Sequence, residues 1–207
     1  MREERPPPPL IPDATGALLA GGRASRLGGR AKGLLLERGE PIAARSLRLF
    51  EALFADRLVV ANDPDPYDGF GARVVPDALA GRGAPGGLHA ALSAARTEWV
   101  FAAGCDMPFL ARDPIAWLAA RRSGTLAVAV MWKGRLEPLH AFWSRGCLPV
   151  FERMLGAGEP SLWALATAVQ ARFVAEEEWR EVDPEGLCFA NVNTEEDAAR
   201  LGLRMPP

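Results

Sequence analysis

Short runs of apolar residues alternate with helical patterns along most of this chain, and no other feature of the sequence constrains its fold as strongly. Residues 99–103 are the clearest such run. A strand without polar positions has to be covered on both faces, which is the usual situation of strands in a parallel sheet. Strands that alternate with helices are typical of βαβ units. The pattern therefore predicts an α/β fold in which helices cover both faces of a largely parallel sheet.

The boundaries of these elements follow from the apolar runs and their flanking turn residues. The predicted strands cover residues 16–20, 57–61, 72–75, 99–103, 126–131 and 139–143, with weaker candidates at 169–176 and 188–192. The predicted helices cover residues 42–54, 87–96, 114–121, 147–155, 161–168 and 194–201. We expect residues 1–14, which are rich in proline and charge, to form a flexible tail, and residues 15–207 to form a single domain.

Composition argues against several classes of protein. A formal net charge of −2 disfavours a nucleic-acid-binding protein, since no basic face dominates. No segment approaches the roughly 20 continuous apolar residues of a membrane span. Three widely spaced cysteines without a CxxC pair favour reduced thiols in a cytoplasmic protein over a disulfide framework or a zinc site.

The first apolar run ends in two glycines, Gly21 and Gly22, which open a loop that carries four cationic side chains. Glycine lets backbone N–H groups come close to a ligand, and cations neutralise phosphate charge, so the loop predicts a polyphosphate site. Lys32 is of special interest because Lys133 is the only other lysine in the chain. The alternative is that Lys32 is an ordinary solvated residue. The four cations are Arg23, Arg26, Arg30 and Lys32.

Two aspartates follow other predicted strands. In parallel sheets ligands collect at the carboxyl ends of the strands, where both aspartates and the glycine-rich loop are expected. Asp106 follows the apolar run at 99–104 and is predicted to hold Mg²⁺, which prefers carboxylate oxygens and substrate phosphates. Asp77 precedes the glycine-rich segment 81–87 and is predicted to accept hydrogen bonds from a nucleotide. The alternative for both is a capping or turn aspartate.

Two asparagines, Asn191 and Asn193, stand one residue apart. At the end of a strand their side chains would point to the same side, about 7 Å apart, and could bind a polar substrate. Alternatively, Asn193 caps the last helix, a role that Thr194 could fill equally well. The segment 137–140, Glu-Pro-Leu-His, lies between two predicted strands, and there two interpretations stay open: it lines an acceptor pocket, or it forms a structural turn.

Taken together, these motifs resemble those of the molybdenum cofactor guanylyltransferases, from about residue 16 to residue 202. The resemblance implies a three-layer α/β/α sandwich of the nucleotide-diphospho-sugar transferase type, with a mostly parallel, Rossmann-like sheet. Two positions differ from the usual family pattern: Ala31 replaces an aspartate before the lysine, and the proline within 83–87 is displaced. The motifs are Leu19-Ala20-Gly21-Gly22 with Ser25-Arg26-Leu27-Gly28 and Lys32, then Cys105-Asp106-Met107-Pro108, and finally Asn191-Val192-Asn193-Thr194.

The same resemblance implies a reaction and the residues that carry it. The family transfers GMP from Mg-GTP to the terminal phosphate of molybdopterin and releases pyrophosphate. The catalytic residues would be Lys32, Arg26 and Asp106, with Asp106 as the Mg²⁺ ligand, while Asn191 and Asn193 would contact the acceptor. Implied protein partners are cofactor-insertion proteins or molybdoenzyme chaperones, with no role for nucleic acid or a membrane. The nucleotide would contact Leu19, Ala20, Gly21, Gly22, Arg26, Lys32, Asp77 and Asp106.

Two other functions stay open on the sequence. A related nucleotidyltransferase would use CTP or a sugar-phosphate acceptor. A non-catalytic paralogue would bind GTP without releasing pyrophosphate. A dinucleotide oxidoreductase is disfavoured, because the first loop lacks the GxGxxG spacing and carries many cations.

Overall fold

The computed structural model describes residues 10–21, 26–27, 30–77, 79 and 81–206, with only the backbone of residues 26, 27 and 30. Within these ranges a seven-stranded sheet forms the centre of the molecule, in the order β7-β5-β6-β4-β1-β2-β3. The strand β6 runs antiparallel to both of its neighbours, and the other pairings are parallel. The strands are β1 (Ile11–Leu19), β2 (Phe54–Val60), β3 (Arg73–Val75), β4 (Trp99–Gly104), β5 (Ala127–Trp132), β6 (Arg135–Ser144) and β7 (Arg172–Val174).

Helices cover both faces of this sheet. One face packs against α1, α3 and α6, and the other against α2, α4 and α5, through two separate apolar clusters. The prediction of a three-layer α/β/α sandwich with a mostly parallel sheet is therefore confirmed. The helices are α1 (Ile42–Leu53), α2 (Gly83–Ala94), α3 (Arg112–Ala119), α4 (Leu148–Ala157), α5 (Leu162–Ala168), α6 (Glu176–Trp179) and α7 (Glu195–Arg200).

The strand β1 shows how the sequence produces these layers. Side chains alternate along a strand, so Leu18 enters the cluster beneath α1 while Leu19 enters the cluster beneath α2. Gly16 faces α1, where an added β-carbon would lie 2.6 Å from the ring of Phe50. Only glycine fits at that position, and its small size lets α1 pack closely on the central strand.

Several expectations on element boundaries were wrong. The helix predicted at 87–96 is α2 (Gly83–Ala94), which includes most of the glycine-rich segment 81–87. The strand β1 begins at Ile11, inside the segment 1–14 that was predicted to be a tail, because Ile11 and Ala14 are buried in the core. The weaker strand candidate at 188–192 contains no strand. It begins within the short 3₁₀ helix Leu187–Phe189, whose first N–H groups are capped by the carboxylate of Asp183.

Two short ribbons follow β1 and precede α1. They pair Arg26–Leu27 with Arg30–Ala31, and Leu36–Glu37 with Glu40–Pro41. A 3₁₀ helix at Lys32–Leu34 connects them. None of the helices in the described ranges combines the length and the apolar character that a membrane span requires.

Candidate active site

The site lies at the carboxyl edge of four adjacent parallel strands. Gly104 of β4, Leu19 of β1, Val60 of β2 and Val75 of β3 stand in register across the sheet. Both aspartates singled out from the sequence, Asp106 and Asp77, come two residues after this row, where open α/β sheets bind their ligands. The row thus fixes the lateral order of the site: Asp106 after β4, Gly21 after β1, Asn62 after β2 and Asp77 after β3.

Lys32 is buried at this edge, with 3% of its side chain exposed. Its Nζ donates a hydrogen bond to Oδ1 of Asn193 at 2.8 Å and lies 3.5 Å from Oδ2 of Asp106. The alternative of an ordinary solvated lysine is therefore wrong. A buried ammonium requires such partners, since its transfer out of water is costly unless it is paired and hydrogen-bonded.

Asp106 owes its position to Gly104, two residues earlier. A β-carbon on Gly104 would lie 2.5 Å from Oδ1 of Asp106, so the carboxylate folds back over a residue that lacks a side chain. Burial raises the pKa of Asp106 above its ordinary value, and the neighbouring Lys32 ammonium acts in the opposite direction. About a quarter of the side chain is exposed, so this carboxylate remains accessible to a ligand.

The segment that carries Asn193 is fixed from both sides. The backbone N–H of Val192 donates to the carbonyl of Asp106 at 3.0 Å. On the other side, Thr194 accepts a hydrogen bond from the N–H of Asp197, and Oδ2 of Asp197 accepts from the N–H groups of Asn193 and Thr194. Thr194 is therefore the N-cap of α7, and the side chain of Asn193 is free to reach Lys32.

A third, small apolar cluster joins the segment that follows Lys32 to the segment 191–193, which carries the two asparagines. It contains residues from both segments, from the start of α1, from α7 and from the chain that follows α7, and it packs them together. The backbone of Leu36 also pairs with Arg204 through two hydrogen bonds. Residues that are distant in sequence are thereby held together at the site. The cluster consists of Leu35, Ile42, Val192, Ala198 and Leu203.

The two asparagines do not share one role in the structure. Asn191 turns back on its own loop, where its Nδ2 donates to the carbonyl of Phe189 at 3.1 Å. Asn193 reaches the Lys32–Asp106 pair instead. The expectation that both side chains point to the same side rested on a strand at 188–192, and that strand is absent.

Asp77 lies on the far side of the site. Three strand spacings separate β4 from β3, so Asp77 stands roughly 14 Å from Asp106 along the edge. It is buried, with 8% exposed, and its Oδ1 accepts from the N–H of Leu79 at 3.0 Å. Its own N–H donates to Oδ1 of Asn62. The contact of Oδ1 with Leu79 is the one expected of a turn aspartate. The other carboxylate oxygen, Oδ2, has no hydrogen-bond partner among the described residues and is available to a ligand.

The remaining predicted nucleotide contacts lie around the end of β1. Leu19 is the last residue of the strand and Ala20 is buried behind it, with its N–H bonded to the carbonyl of Val60. Gly21 is exposed beyond them. Gly22 and the side chain of Arg26 lie outside the described residues.

The segment 137–140 is not a turn. The turn lies earlier, at Lys133 and Gly134, whose positive φ values of 48° and 73° suit a two-residue hairpin loop. The segment itself forms a bulge within β6, where the register against β5 shifts between Glu137 and Phe142. His140 adopts φ 115° there and is completely buried.

Burial determines the ionisation of both titratable groups of this bulge. It lowers the pKa of His140 to about 4, because the ring is packed among Phe101, Trp179 and Phe189. Neither ring nitrogen has a hydrogen-bond partner among the described residues. Burial raises the pKa of Glu137 to about 7, with Arg135 acting in the opposite direction. His140 is thus a core residue, and Glu137 is a half-buried acid near the sheet edge.

Sequence reasoning missed Gly104. The signal was present, since a glycine ends an otherwise bulky apolar run two residues before a carboxylate. No group of three or more His, Cys, Asp or Glu side chains suited to a metal occurs among the described residues. A metal here would therefore depend on Asp106 together with oxygens of a bound substrate.

This fold is shared with solved structures of enzymes that transfer nucleotidyl groups. The crystal structure of molybdopterin-guanine dinucleotide biosynthesis protein A from Archaeoglobus fulgidus superposes with a TM-score of 0.74 and 24% identity, covering 90% of this chain and 96% of that one. The 2-C-methyl-D-erythritol 4-phosphate cytidylyltransferase from Thermus thermophilus gives a TM-score of 0.64 and 17% identity, covering 89% of this chain and 95% of that one.

The chain belongs to the family of the MobA-like NTP transferase domain, which matches residues 16–173. The molybdenum cofactor guanylyltransferase of Desulfosudis oleivorans is 35% identical over 88% of this chain and 91% of its own length. That of Pseudomonas putida is also 35% identical, over 84% of this chain and 93% of its own length. The resemblance seen in the sequence motifs is thereby confirmed.

Proposed function

We propose that this chain is a molybdenum cofactor guanylyltransferase. It transfers GMP from GTP to the terminal phosphate of molybdopterin, and it releases pyrophosphate. The names of its relatives support this assignment. The observation that carries it is the buried Lys32, held between Asp106 and Asn193 at the carboxyl edge of the sheet, where a cation meets the phosphates of a bound nucleotide.

We assign the nucleotide to the edge between β4 and β3. The backbone from Leu19 to Gly22 and the side chain of Arg26 would hold the phosphates, and Lys32 would bind the α-phosphate. Asp77 would contact the nucleoside at the far end of the edge. The separation of roughly 14 Å between Asp77 and Asp106 gives room for an extended ligand. Asn193 would contact the acceptor, whereas the amide of Asn191, which was also expected there, is bonded to the carbonyl of Phe189.

The chemistry requires positioning more than proton transfer. An oxygen of the acceptor phosphate, already ionised at neutral pH, attacks the α-phosphorus while the bond to the pyrophosphate oxygen breaks. No general base is needed. Lys32 and Arg26 stabilise the charge that develops on the α-phosphate and on the leaving pyrophosphate, and the fixed geometry keeps the reacting atoms in line.

The residues present fit a Mg²⁺ ion held mainly by substrate. Mg²⁺ is commonly bound through one or two carboxylates plus phosphates. Asp106 offers one accessible carboxylate, folded over the side-chain-free Gly104. When bound, the ion would neutralise phosphate charge and favour departure of pyrophosphate. The Asp106 carboxylate would hold it, and Lys32 would keep that carboxylate in place.

Pyrophosphate release tests the proposed reaction. The purified protein is given GTP, CTP or UTP with Mg²⁺, each with and without molybdopterin. We expect release only with GTP and molybdopterin together. Release with CTP would favour the related cytidylyltransferase reaction, and GTP binding without release would favour a non-catalytic paralogue.

Asp106→Ala tests the site. Loss of one electrostatic partner commonly costs roughly 10²–10³ in rate, so turnover should fall by that factor while the fold survives. The control is Asp113→Ala, which removes an exposed aspartate from the first turn of α3. Turnover of Asp106→Ala equal to that of the control would contradict the metal-binding role.

We also propose a cytoplasmic location, because Cys105, Cys147 and Cys188 are free thiols buried in the fold. Proteins that supply molybdopterin or receive the guanylylated product are the expected partners.

A further inference from the structure

The side chain of Asn193 connects two parts of the proposed site. Its Oδ1 accepts the 2.8 Å hydrogen bond from Lys32. A lysine ammonium has three donors and no acceptor, so the amide oxygen has to face it. The amide nitrogen is then directed away from Lys32, and Nδ2 has no hydrogen-bond acceptor among the described residues. Asn193 is exposed, so this donor faces solvent or a ligand.

The surroundings of Lys32 make this contact important. Ala31, the preceding residue, offers no side-chain acceptor. Asp106 lies at 3.5 Å, beyond ordinary hydrogen-bond length, whereas Asn193 lies at 2.8 Å. The direction of the ammonium is therefore set mainly by the amide oxygen, and its charge is balanced mainly by Asp106.

The backbone on both sides of Asn193 is held in place by contacts within the protein. Its N–H is held by Asp197, its neighbour Thr194 caps α7, and Val192 is buried in the third apolar cluster and bonded to the carbonyl of Asp106. Little conformational freedom remains to be lost when a ligand binds, which is the property of a supporting group that sets the geometry of a reacting one.

We propose that Asn193 is the positioning residue for Lys32, and that its proposed contact with the acceptor is made through the Nδ2 hydrogens of the same amide. This inference rests on the proposed function, in which Lys32 binds the nucleotide. An amide suits both tasks, because it orients the cation without adding negative charge. A carboxylate at this position would still hold Lys32 but would repel a phosphate.

A double-mutant cycle tests the first half of the proposal. Single-turnover rates at saturating acceptor, and affinities for Mg²⁺-GTP, are measured for Lys32→Ala, Asn193→Ala and the double variant. We expect Asn193→Ala to lower the rate roughly 10- to 100-fold, the usual effect of losing a hydrogen bond to a charged group. In the Lys32→Ala background, the same substitution should have an effect on rate and affinity within a factor of about two.

Asn191→Ala is the matched control for this cycle. It truncates the same residue type in the same loop, but its amide binds the carbonyl of Phe189 and does not contact Lys32. Its effect should multiply with that of Lys32→Ala. If the effects of Asn193→Ala and Lys32→Ala also multiply, Asn193 does not act through Lys32 and the inference is wrong. A Lys32→Ala variant with the rate of the parent would instead overturn the proposed role of Lys32.

Asn193→Asp tests the second half. The substitution preserves an oxygen for Lys32 and replaces the Nδ2 donor with a negative oxygen. We expect the KM for the acceptor to rise at least tenfold and the affinity for GTP to fall by a smaller factor, because Lys32 balances part of the new charge on the nucleotide side. An unchanged KM for the acceptor would show that Nδ2 does not face it. A large loss of GTP affinity with an unchanged KM would likewise contradict this role.

Discussion

A β-carbon on Gly104 would lie 2.5 Å from Oδ1 of Asp106, so the carboxylate of the site occupies space that any other residue at position 104 would fill. The two residues form one unit at the end of β4. The glycine ends the strand, and the aspartate folds back over it within 3.5 Å of the ammonium of Lys32. Glycine at this position is thus part of the site and not merely a residue at the end of a strand.

Gly104→Ala should inactivate the protein without unfolding it. The new methyl group has to displace the Asp106 carboxylate, and with it the partner of Lys32, so turnover should fall roughly 10²–10³-fold. Melting temperature and activity are measured together. Gly156→Ala is the control, since Gly156 lies in α4 with open space around it and should gain slight stability at unchanged activity. Parent-like turnover of Gly104→Ala would contradict this account of the carboxylate.

Thr194→Ala should lower both stability and activity, whereas loss of a helix cap far from the site should lower stability alone. Loss of the N-cap of α7 costs about 1 kcal/mol, and it also loosens the backbone that carries Asn193. Ser161→Ala removes the equivalent cap of α5, where Ser161 accepts from the N–H of Ala164. We expect similar losses in urea denaturation for both variants and a lower kcat only for Thr194→Ala. Equal kcat values would mean that the cap of α7 has no influence on the site.

Glu137 should make stability depend on pH near neutrality. Burial raises its pKa from 4.5 to about 7. Between these two pH values the unfolded chain has lost a proton that the folded chain retains. The free energy of unfolding therefore falls as pH rises through this range. Glu137→Gln should be more stable than the parent above pH 7, on the order of 2 kcal/mol once solvent screening of this half-buried group is allowed for, with no difference near pH 4.

Urea denaturation at several pH values measures this difference. The control is Glu185→Gln, which changes an exposed glutamate and should leave the pH dependence of the parent intact. A Glu137→Gln variant whose stability follows the parent at every pH would show that this carboxyl is not buried in the folded protein.

Cys105 should be unreactive although it precedes Asp106. Burial, followed by the negative charge of Asp106, raises its pKa to about 12, and the thiolate is the reactive form. Burial also raises the pKa of Cys147 and of Cys188 to about 12. Iodoacetamide near neutral pH should leave the three thiols unmodified in the folded protein and should alkylate all three in urea, as read by mass spectrometry. Rapid modification of Cys105 in the folded state would contradict its burial.

The sequence predicted the sheet and the edge at which the site lies, because apolar periodicity is a local property and the carboxyl ends of parallel strands share one edge. It also predicted that Lys32, Asp106 and Asn193 belong to one site, and the structure brings these three side chains together. It did not predict that Asn191 turns away, since that depends on a 3₁₀ helix capped by the carboxylate of Asp183, a hydrogen-bonded contact that apolar periodicity does not reveal. The bulge at 137–140 likewise depends on a register shift between two strands, which no single segment encodes.

The contact between Lys32 and Asn193 joins groups 161 positions apart in the chain. Closing a loop of this length is entropically unfavourable until many other contacts support it, and such non-local contacts slow folding. We therefore expect affinity for nucleotide to return only in the last kinetic phase of refolding, after the circular dichroism signal of the helices and sheet has recovered. An immobilised nucleotide would then retain the molecules that have finished folding, and molecules that are only compact would pass through.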